Sequence, residues 1–154
     1  MDFVRNAWYV ACWSHELVAQ PLARTILGEP VVLFRGADGA PAALEDRCPH
    51  RYLPLSLGRP VEAGLQCGYH GMTFDARGAC VAIPGQTRIP PNARVRAYPV
   101  RETNGMVWIW TGVPALAETV PVYDQPEFQD PGWTVAYGTP LEYCLLYTSD
   151  AADE

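Results

Sequence analysis

The sequence has little charge and no long apolar run. Only 18% of its 154 residues are charged, and the 11 basic residues are scattered along the chain instead of forming a stripe. A net charge of −6 offers no basic footprint for DNA or RNA, so no nucleic-acid partner is expected. No segment approaches the ~20 apolar residues of a membrane helix, and the first residues lack the basic and apolar regions of a secretion signal. We therefore expect a soluble cytoplasmic protein that does not enter a membrane.

Proline and glycine are frequent. Fifteen prolines and thirteen glycines favour short strands joined by turns over long amphipathic helices. A hydrophobic content of 49% is enough for one domain with its own core. Composition therefore predicts a mainly β protein.

Turn residues place the expected strands. The apolar residues 8–13 and the alternating residues 24–34 start the predicted sheet, with a break at residues 28–30 that divides the second segment into two strands. Three turn signals each predict an antiparallel hairpin. They are Asp38-Gly39 between residues 31–34 and 41–45, residues 75–78 between 72–74 and 79–83, and Asn104-Gly105 between 94–100 and 106–111.

The chain divides into four predicted segments. Residues 1–112 form the β domain. Residues 113–132 are rich in proline and acidic residues and are typical of a linker. Residues 133–143 are expected to supply the first strand of a second domain that is truncated. Residues 144–154 resemble an in-frame translation of a transposon-end adaptor used in sequencing libraries, and we predict that they are not native.

Two of the five cysteines lie in segments whose histidines could complete a ligand set. Without an export signal, thiols are expected to stay reduced unless a metal binds them, which makes disulfides the poorer explanation. Cys48 and Cys67 each lie close to a histidine in sequence. The other three, Cys12, Cys80 and Cys144, have no histidine nearby that would complete a ligand set, and the first two are predicted to be ordinary buried thiols.

The four residues Cys48, His50, Cys67 and His70 follow the spacing C-x-H-x16-C-x2-H. Two thiolates and two imidazoles suit either a zinc ion or a [2Fe-2S] cluster, in which the cysteines bind one iron and the histidines the other. Zinc fingers usually group both cysteines in one knuckle and both histidines in another, whereas each loop here supplies one of each. The spacing favours the cluster, and a zinc site and a coincidental core set remain alternatives.

The runs CPHRYLPLSLG and CGYHG, which begin at Cys48 and Cys67, are similar to the cluster loops of the Rieske oxygenases. The flanking text RNAWYVACWSHEL, ARTILGEPVVLFR and VWIW resembles the vanillate O-demethylase oxygenase subunits and related aromatic-acid demethylases. The resemblance covers roughly residues 3–143. It implies an antiparallel Rieske domain with a cluster-binding subdomain of two loops, whose [2Fe-2S] ligands would be the four residues named above.

The resemblance also implies what the chain lacks. Oxygen chemistry in such families takes place at a mononuclear iron held by two histidines and a carboxylate. This chain has three histidines. Two of them belong to the loops, and the third, His15, is predicted to be a surface residue. The parent protein would be a monooxygenase that contains mononuclear Fe(II), acts on an aromatic acid with O2, and forms a homotrimer. Its electrons would come from an NAD(P)H-dependent flavin and iron-sulfur reductase, and the fragment alone would be inactive.

Two other functions stay open at this stage. A stand-alone Rieske ferredoxin would carry electrons without catalysis, and a zinc-bound structural domain would be redox-silent. Near the loops, Arg51 could offset charge at the reduced cluster or could be a solvated loop residue. Tyr69 and Phe74 are predicted to pack around the cluster, with a hydrogen bond from the Tyr69 hydroxyl to sulfur as the alternative.

Overall fold

The computed structural model describes residues 3–136 and 138. Eleven strands are formed within these residues: β1 Trp8–Trp13, β2 Leu22–Ile26, β3 Glu29–Arg35, β4 Pro41–Glu45, β5 Arg59–Val61, β6 Gly64–Gln66, β7 Thr73–Phe74, β8 Cys80–Ala82, β9 Ala97–Tyr98, β10 Val100–Thr103 and β11 Met106–Trp110. Short 3-10 helices cover Ser14–Glu16, Leu55–Leu57, Pro114–Leu116 and Pro126–Phe128. The mainly β fold predicted from composition and resemblance is confirmed.

The strands form three sheets. Their orders are β1-β11-β10, β2-β3-β4-β9 and β5-β6-β7-β8, and the pairing is antiparallel throughout the described residues. Strands β1 and β11 are distant in sequence, so closing the first sheet brings the start and the end of the domain together. The third sheet is built from consecutive strands and carries the second cysteine loop between β6 and β7.

Strand β3 is buried on both of its faces, which explains its continuous apolar sequence. Val31 and Leu33 face one hydrophobic core, and Val32 and Phe34 face another. All four side chains are fully buried. The β2-β3-β4-β9 sheet is therefore a middle layer with a core on each side.

The two cores have different neighbours. One core joins the middle sheet to the first sheet through Ala11, Val107 and Ile109. The other joins the middle sheet to the third sheet through Leu65 and Phe74, and it also contains both loop cysteines. Phe74 is completely buried in this core. The cysteine loops rest on a core that the middle sheet shares.

The predicted hairpins at the three turn signals are present. Strands β3 and β4 pair around Asp38-Gly39, β7 and β8 around residues 75–78, and β10 and β11 around Asn104-Gly105. Both residues of the Asn104-Gly105 turn have positive φ, as a two-residue hairpin of this type requires.

Two strand predictions need correction. The break in residues 24–34 lies at Leu27-Gly28, both with positive φ, and Pro30 belongs to β3. Proline fits there because the pairing of β3 with β4 begins only at Val31, opposite Glu45. Residues 94–100 do not form one strand, because β9 pairs with β4 whereas β10 pairs with β11.

The contacts divide the chain into two units, the first ending at Asp124 and the second beginning at Gln125. The first unit holds all eleven strands, and the described part of the second holds the 3-10 helix Pro126–Phe128. Within the predicted start of a second domain, residues 133–136 have irregular structure. Most of residues 137–143 and the predicted non-native tail 144–154 lie outside the described residues, so these boundaries stay predictions. Among the described residues, no helix is long and apolar enough to cross a membrane.

Glu29 ties β3 to other parts of the first unit. Its carboxylate pairs with Arg5 at 2.7 Å and with Arg96 at 3.0 Å, and it accepts a hydrogen bond of 2.9 Å from the Tyr98 hydroxyl. Partial burial acts to raise the pKa of Glu29, but the hydrogen bonds from Arg5 and Tyr98 and the charge of Arg96 outweigh it, so the net pKa is lowered. The folded state therefore favours the ionised carboxylate.

The lowered pKa of Glu29 predicts a stability loss in acid. A carboxyl group whose pKa is lowered by folding stabilises the protein above its unfolded pKa, and this contribution is lost as pH falls through the folded value. We expect Glu29→Gln to lower the free energy of unfolding by about 1 kcal/mol at pH 7. The difference should shrink below about pH 4.3, the usual pKa of glutamate. Denaturant unfolding across this range measures it, and a difference that stays constant with pH would contradict the assigned pairing.

Candidate metal centre

The first cysteine loop, residues 48–53, follows β4. Its ends are joined by a hydrogen bond of 2.9 Å from the Cys48 N–H to the Leu53 carbonyl. Inside it, the Tyr52 N–H donates to the Cys48 carbonyl at 2.8 Å. Tyr52 adopts a positive φ of 59°, a conformation that is rare for an aromatic residue. The loop is therefore a closed turn whose tip carries His50.

The second loop, residues 67–72, repeats this backbone pattern between β6 and β7. The Cys67 N–H donates to the Met72 carbonyl at 2.8 Å, and the Gly71 N–H donates to the Cys67 carbonyl at 3.1 Å. Gly71 has φ of +73° and occupies the position that Tyr52 occupies in the first loop. Each cysteine thus opens an equivalent turn, and each turn carries one histidine.

The two loops lie side by side, with their cysteines buried and their histidines at the surface. The rings of His50 and His70 are 4.5 Å apart between centroids, at an angle of 56°. Cys48 and Cys67 are only 2% and 3% exposed, whereas both histidines are exposed. The structure thus brings the four predicted residues into one place, with the thiols on the inside and the imidazoles at the surface.

The Cys48 thiol is buried and lies near two backbone N–H groups. Burial, reinforced by the neighbouring Cys67 thiol, raises the pKa of Cys48, although the backbone N–H groups of His50 and Arg51 act to lower it. Without a metal the Cys48 thiol keeps its proton at neutral pH. A bound cation would displace that proton, and the two N–H groups would then stabilise the thiolate.

The donor set fits a two-metal cluster better than a zinc ion. Zinc in a structural site takes four ligands around one point. A [2Fe-2S] cluster of the mixed type needs only two protein ligands on each iron, which matches a buried thiol pair beside an exposed imidazole pair.

Contacts that hold the loops in place were not predicted from the sequence. The Asp46 carboxylate accepts hydrogen bonds from the Ser56 backbone N–H at 2.7 Å and from the Ser56 hydroxyl at 2.6 Å. These hydrogen bonds connect the end of β4, which precedes the first loop, to the Leu55–Leu57 helix, which follows it. The ten-residue separation gives no local signal by which the pair could have been found.

Glycine is needed where the second loop approaches the Leu55–Leu57 helix. A Cβ atom at Gly68 would lie 2.7 Å from the Leu57 carbonyl oxygen, which is backbone and cannot move aside. The Gln66 side chain adds a weak contact of 3.4 Å to the Gly71 carbonyl, and its own oxygen accepts a hydrogen bond from Arg59 at 2.9 Å. The second loop is thus supported on both sides.

Aromatic side chains flank the histidines. The Tyr69 ring stacks on His70 with centroids 3.8 Å apart, so it packs against a predicted ligand as expected. It is nevertheless 61% exposed, and its place is on the outer surface of the site. The Arg47 guanidinium lies 4.0 Å above the Tyr52 ring. A cavity of about 550 Å³ opens beside the histidines, and its other lining residues are mostly apolar, among them Met72 and Pro84.

The remaining candidate residues lie outside the two loops. His15 is exposed, as predicted, and its ring is 6.4 Å from that of Trp13. Cys12 and Cys80 are buried free thiols, also as predicted, and burial raises the pKa of Cys12 to about 11. Cys144 lies outside the described residues.

Comparison with known proteins agrees with this geometry. The family model described as the Rieske [2Fe-2S] domain matches residues 7–99. The putative toluene-4-sulfonate monooxygenase system iron-sulfur subunit TsaM2 of Comamonas testosteroni is 51% identical over 135 residues, which are 88% of this chain and 39% of that protein. The vanillate O-demethylase oxygenase subunit of Pseudomonas sp. (strain HR199 / DSM 7063) is 42% identical over 136 residues, covering 88% of this chain and 38% of the relative.

Solved structures give the same result. The crystal structure of dicamba monooxygenase bound to dicamba superimposes with a TM-score of 0.80 at 48% identity, over 85% of this chain and 40% of that one. The chain thus spans about 40% of the length of the relatives it matches. The resemblance to Rieske oxygenases is confirmed. Because the family model covers more than half of its residues, this chain belongs to the Rieske [2Fe-2S] domain family.

Proposed function

We propose that Cys48 and Cys67 bind one iron of a [2Fe-2S] cluster and that His50 and His70 bind the other. The observation that supports this proposal is that two equivalent loops together present two buried thiols and two exposed imidazoles. A cluster of this type supplies a one-electron redox centre.

The chain's own residues divide the work of holding such a centre. Cys48 and Cys67 anchor its inner side within an apolar core that also contains Leu55 and Leu65. This core excludes water from the sulfur ligands. His50 and His70 present the outer side to solvent, where a partner protein can approach. The domain is therefore arranged to exchange electrons through its histidine side.

We further propose that the parent protein is a Rieske non-haem iron monooxygenase similar to the aromatic-acid O-demethylases. Its relatives are oxygenase and monooxygenase components of more than twice this chain's matched length, which disfavours a stand-alone ferredoxin. In this proposal residues 133–143 begin the catalytic domain, and the mononuclear iron is bound by residues beyond this chain. His15, the third histidine of the sequence, lies outside the two loops and has no role in the proposed centre.

The partners follow from this assignment. The donor would be an NAD(P)H-dependent flavin and iron-sulfur reductase, the substrate an aromatic acid together with O2, and the full-length assembly a homotrimer. Relatives named as oxygenase components of multicomponent systems support a separate reductase. We place the protein in the cytoplasm, in keeping with four free cysteines among the described residues.

Reconstitution of the chain with iron and sulfide under anaerobic conditions tests the proposed ligands. We expect two irons and two acid-labile sulfides per chain, and we expect Cys48→Ser and Cys67→Ser each to abolish cluster retention because a ligand of one iron is lost. Cys80→Ser serves as the control, since Cys80 is a buried thiol outside the loops. Colourless protein that binds one zinc, or equal losses in all three variants, would contradict the assignment.

A further inference from the structure

The Leu55–Leu57 helix contacts the bases of both cysteine loops. Its Ser56 is hydrogen-bonded to Asp46, which precedes the first loop. Its Leu57 carbonyl oxygen lies so close to Gly68 of the second loop that a Cβ atom there would be only 2.7 Å away. Since one short helix meets the first loop through a side-chain contact and the second through its backbone, we call it the spacer.

The spacer is itself held in place. Leu55 is fully buried in the core that also contains both loop cysteines. The Gly58 N–H donates to the Leu55 carbonyl at 2.9 Å and closes the helix. On the side of the first loop, the Asp46 backbone N–H donates to the Pro30 carbonyl of β3 at 3.0 Å. The carboxylate that binds the spacer is therefore fixed to the middle sheet.

The pair Asp46 and Ser56, which we call the link, uses both oxygens of one carboxylate. Oδ1 of Asp46 accepts from the Ser56 N–H at 2.7 Å, and Oδ2 accepts from the Ser56 hydroxyl at 2.6 Å. Hydrogen bonds to an ionised acceptor are about twice as strong as neutral ones. Both residues are half-buried, so water competes less for these bonds than it does at the surface. The link therefore restrains the first loop firmly against the spacer.

The spacing of the loops matters because each iron of the proposed centre takes one ligand from each loop. Cys48 and Cys67 come from different loops, and so do His50 and His70. A change in the distance between the loops would therefore alter the ligand geometry at both irons together. Residues that orient metal ligands without binding the metal tune its properties and its retention. The link and the spacer are placed to act on both irons in this way.

We propose that Asp46 and Ser56 are positioning residues that set the spacing of the two cysteine loops, and through it the electronic structure of the centre and its retention of iron. This inference rests on the proposed function and adds two residues that do not bind metal. The hydrogen bonds of the link do the positioning, and the charge of Asp46 is not itself required. An asparagine at position 46 can make the same two contacts, because its oxygen accepts from the Ser56 N–H and its amide donates to the hydroxyl.

The test compares three variants of the reconstituted full chain with wild type. Ser56→Ala removes one hydrogen bond of the link without a change of charge, and Asp46→Ala removes both. Asp46→Asn removes the charge and keeps both contacts. Electron paramagnetic resonance of the reduced protein gives the g values of the cluster. Transfer of iron to a chelator gives the rate of iron release, and denaturant unfolding gives the stability of each variant.

Two substitutions outside the loops are matched controls. Ser14→Ala removes the hydroxyl of a half-buried serine in another 3-10 helix. Asp75→Ala removes a half-buried carboxylate that accepts hydrogen bonds of 2.9 Å from the backbone N–H groups of Arg77 and Ala79. These contacts lie in the β7-β8 turn, at the opposite end of β7 from the second loop. The controls therefore measure the effect of losing similar contacts where neither loop is involved.

We expect Ser56→Ala to release iron on the order of tenfold faster than wild type, because a hydrogen bond to a charged group is lost. Asp46→Ala should release iron faster still. Both variants should shift the g values of the reduced cluster. Asp46→Asn should restore the wild-type g values, and both controls should keep the wild-type g values and release rate even where they lower stability.

Several results would overturn the proposal. Wild-type g values and release rates in Ser56→Ala and Asp46→Ala would do so, and so would equal changes in Asp75→Ala, which would reflect general destabilisation. A spectrum changed as much in Asp46→Asn as in Asp46→Ala would assign the effect to charge instead of position. If Asp46→Ala does not fold, Ser56→Ala decides alone, because it keeps the backbone contact. A wild-type chain that takes up no cluster would overturn the proposed function, and this inference with it.

Discussion

Replacing His70 with cysteine is expected to preserve a cluster and make it much harder to reduce. Two ferric ions, two sulfides and two thiolates have formal charges that cancel, so a third thiolate gives the oxidised centre one negative charge. Mixed cysteine and histidine centres have potentials of roughly −150 to +300 mV, against about −400 mV for four-cysteine ferredoxins. One substitution should therefore lower the midpoint potential by on the order of 100–300 mV.

The exposed position of His70 separates the effect on the cluster from any effect on the core. Its side chain is exposed, so the substitution leaves the apolar core around Cys67 unchanged. His15→Cys is the matched control, because His15 is also exposed and lies in the Ser14–Glu16 helix, outside both loops. Spectroelectrochemical titration of both variants gives the potentials. Equal potentials in wild type and His70→Cys, or a shift in His15→Cys, would mean that His70 does not bind iron.

Gly71→Ala is expected to destabilise the second loop. The residue has φ of +73°, which an alanine adopts only with strain, and its new Cβ atom would lie 2.9 Å from Cγ of Pro84. The Gly71 N–H also closes the loop onto Cys67, so relaxation of the backbone would move a predicted ligand. We expect a loss of about 1–3 kcal/mol in the free energy of unfolding and faster loss of iron.

Tyr52→Gly tests the same position in the first loop with the opposite expected outcome. Tyr52 already has a positive φ of 59°, so glycine relieves strain there while the stacking contact with Arg47 is lost. These effects oppose each other, and we expect a stability within about 1 kcal/mol of wild type. Thermal unfolding of Tyr52→Gly and Gly71→Ala measures the two changes in stability. A Tyr52→Gly variant as unstable as Gly71→Ala would show that the loops are not equivalent.

Much of the local structure was predictable from the sequence because its turns carry strong signals. Asn104-Gly105 and Asp38-Gly39 supply residues that tolerate positive φ between alternating apolar segments, and both hairpins are present. The mixed spacing of Cys48, His50, Cys67 and His70 likewise indicated that four distant side chains would meet. At these positions the types and spacing of a few residues are enough to predict the structure.

The arrangement of the sheets was not predictable in the same way. The separation of β9 from β10 at Pro99 depends on pairing with β4 and β11, which are distant in sequence. The complete burial of β3 on both faces depends on two other sheets. Local patterns do not record such long-range contacts.

The environment of the site was also beyond local patterns. Spacing alone did not indicate that both thiols would be buried and both imidazoles exposed, because depth depends on packing against the middle sheet.

The central claim is that both histidines bind the same centre as the two buried cysteines. Pulsed electron paramagnetic resonance of the reduced protein, labelled with ¹⁵N only in histidine, tests it most directly. The account predicts strong hyperfine couplings to two directly bound nitrogens, with one coupling lost in His70→Cys and both kept in His15→Cys. A reduced cluster that shows no strongly coupled histidine nitrogen would contradict the account.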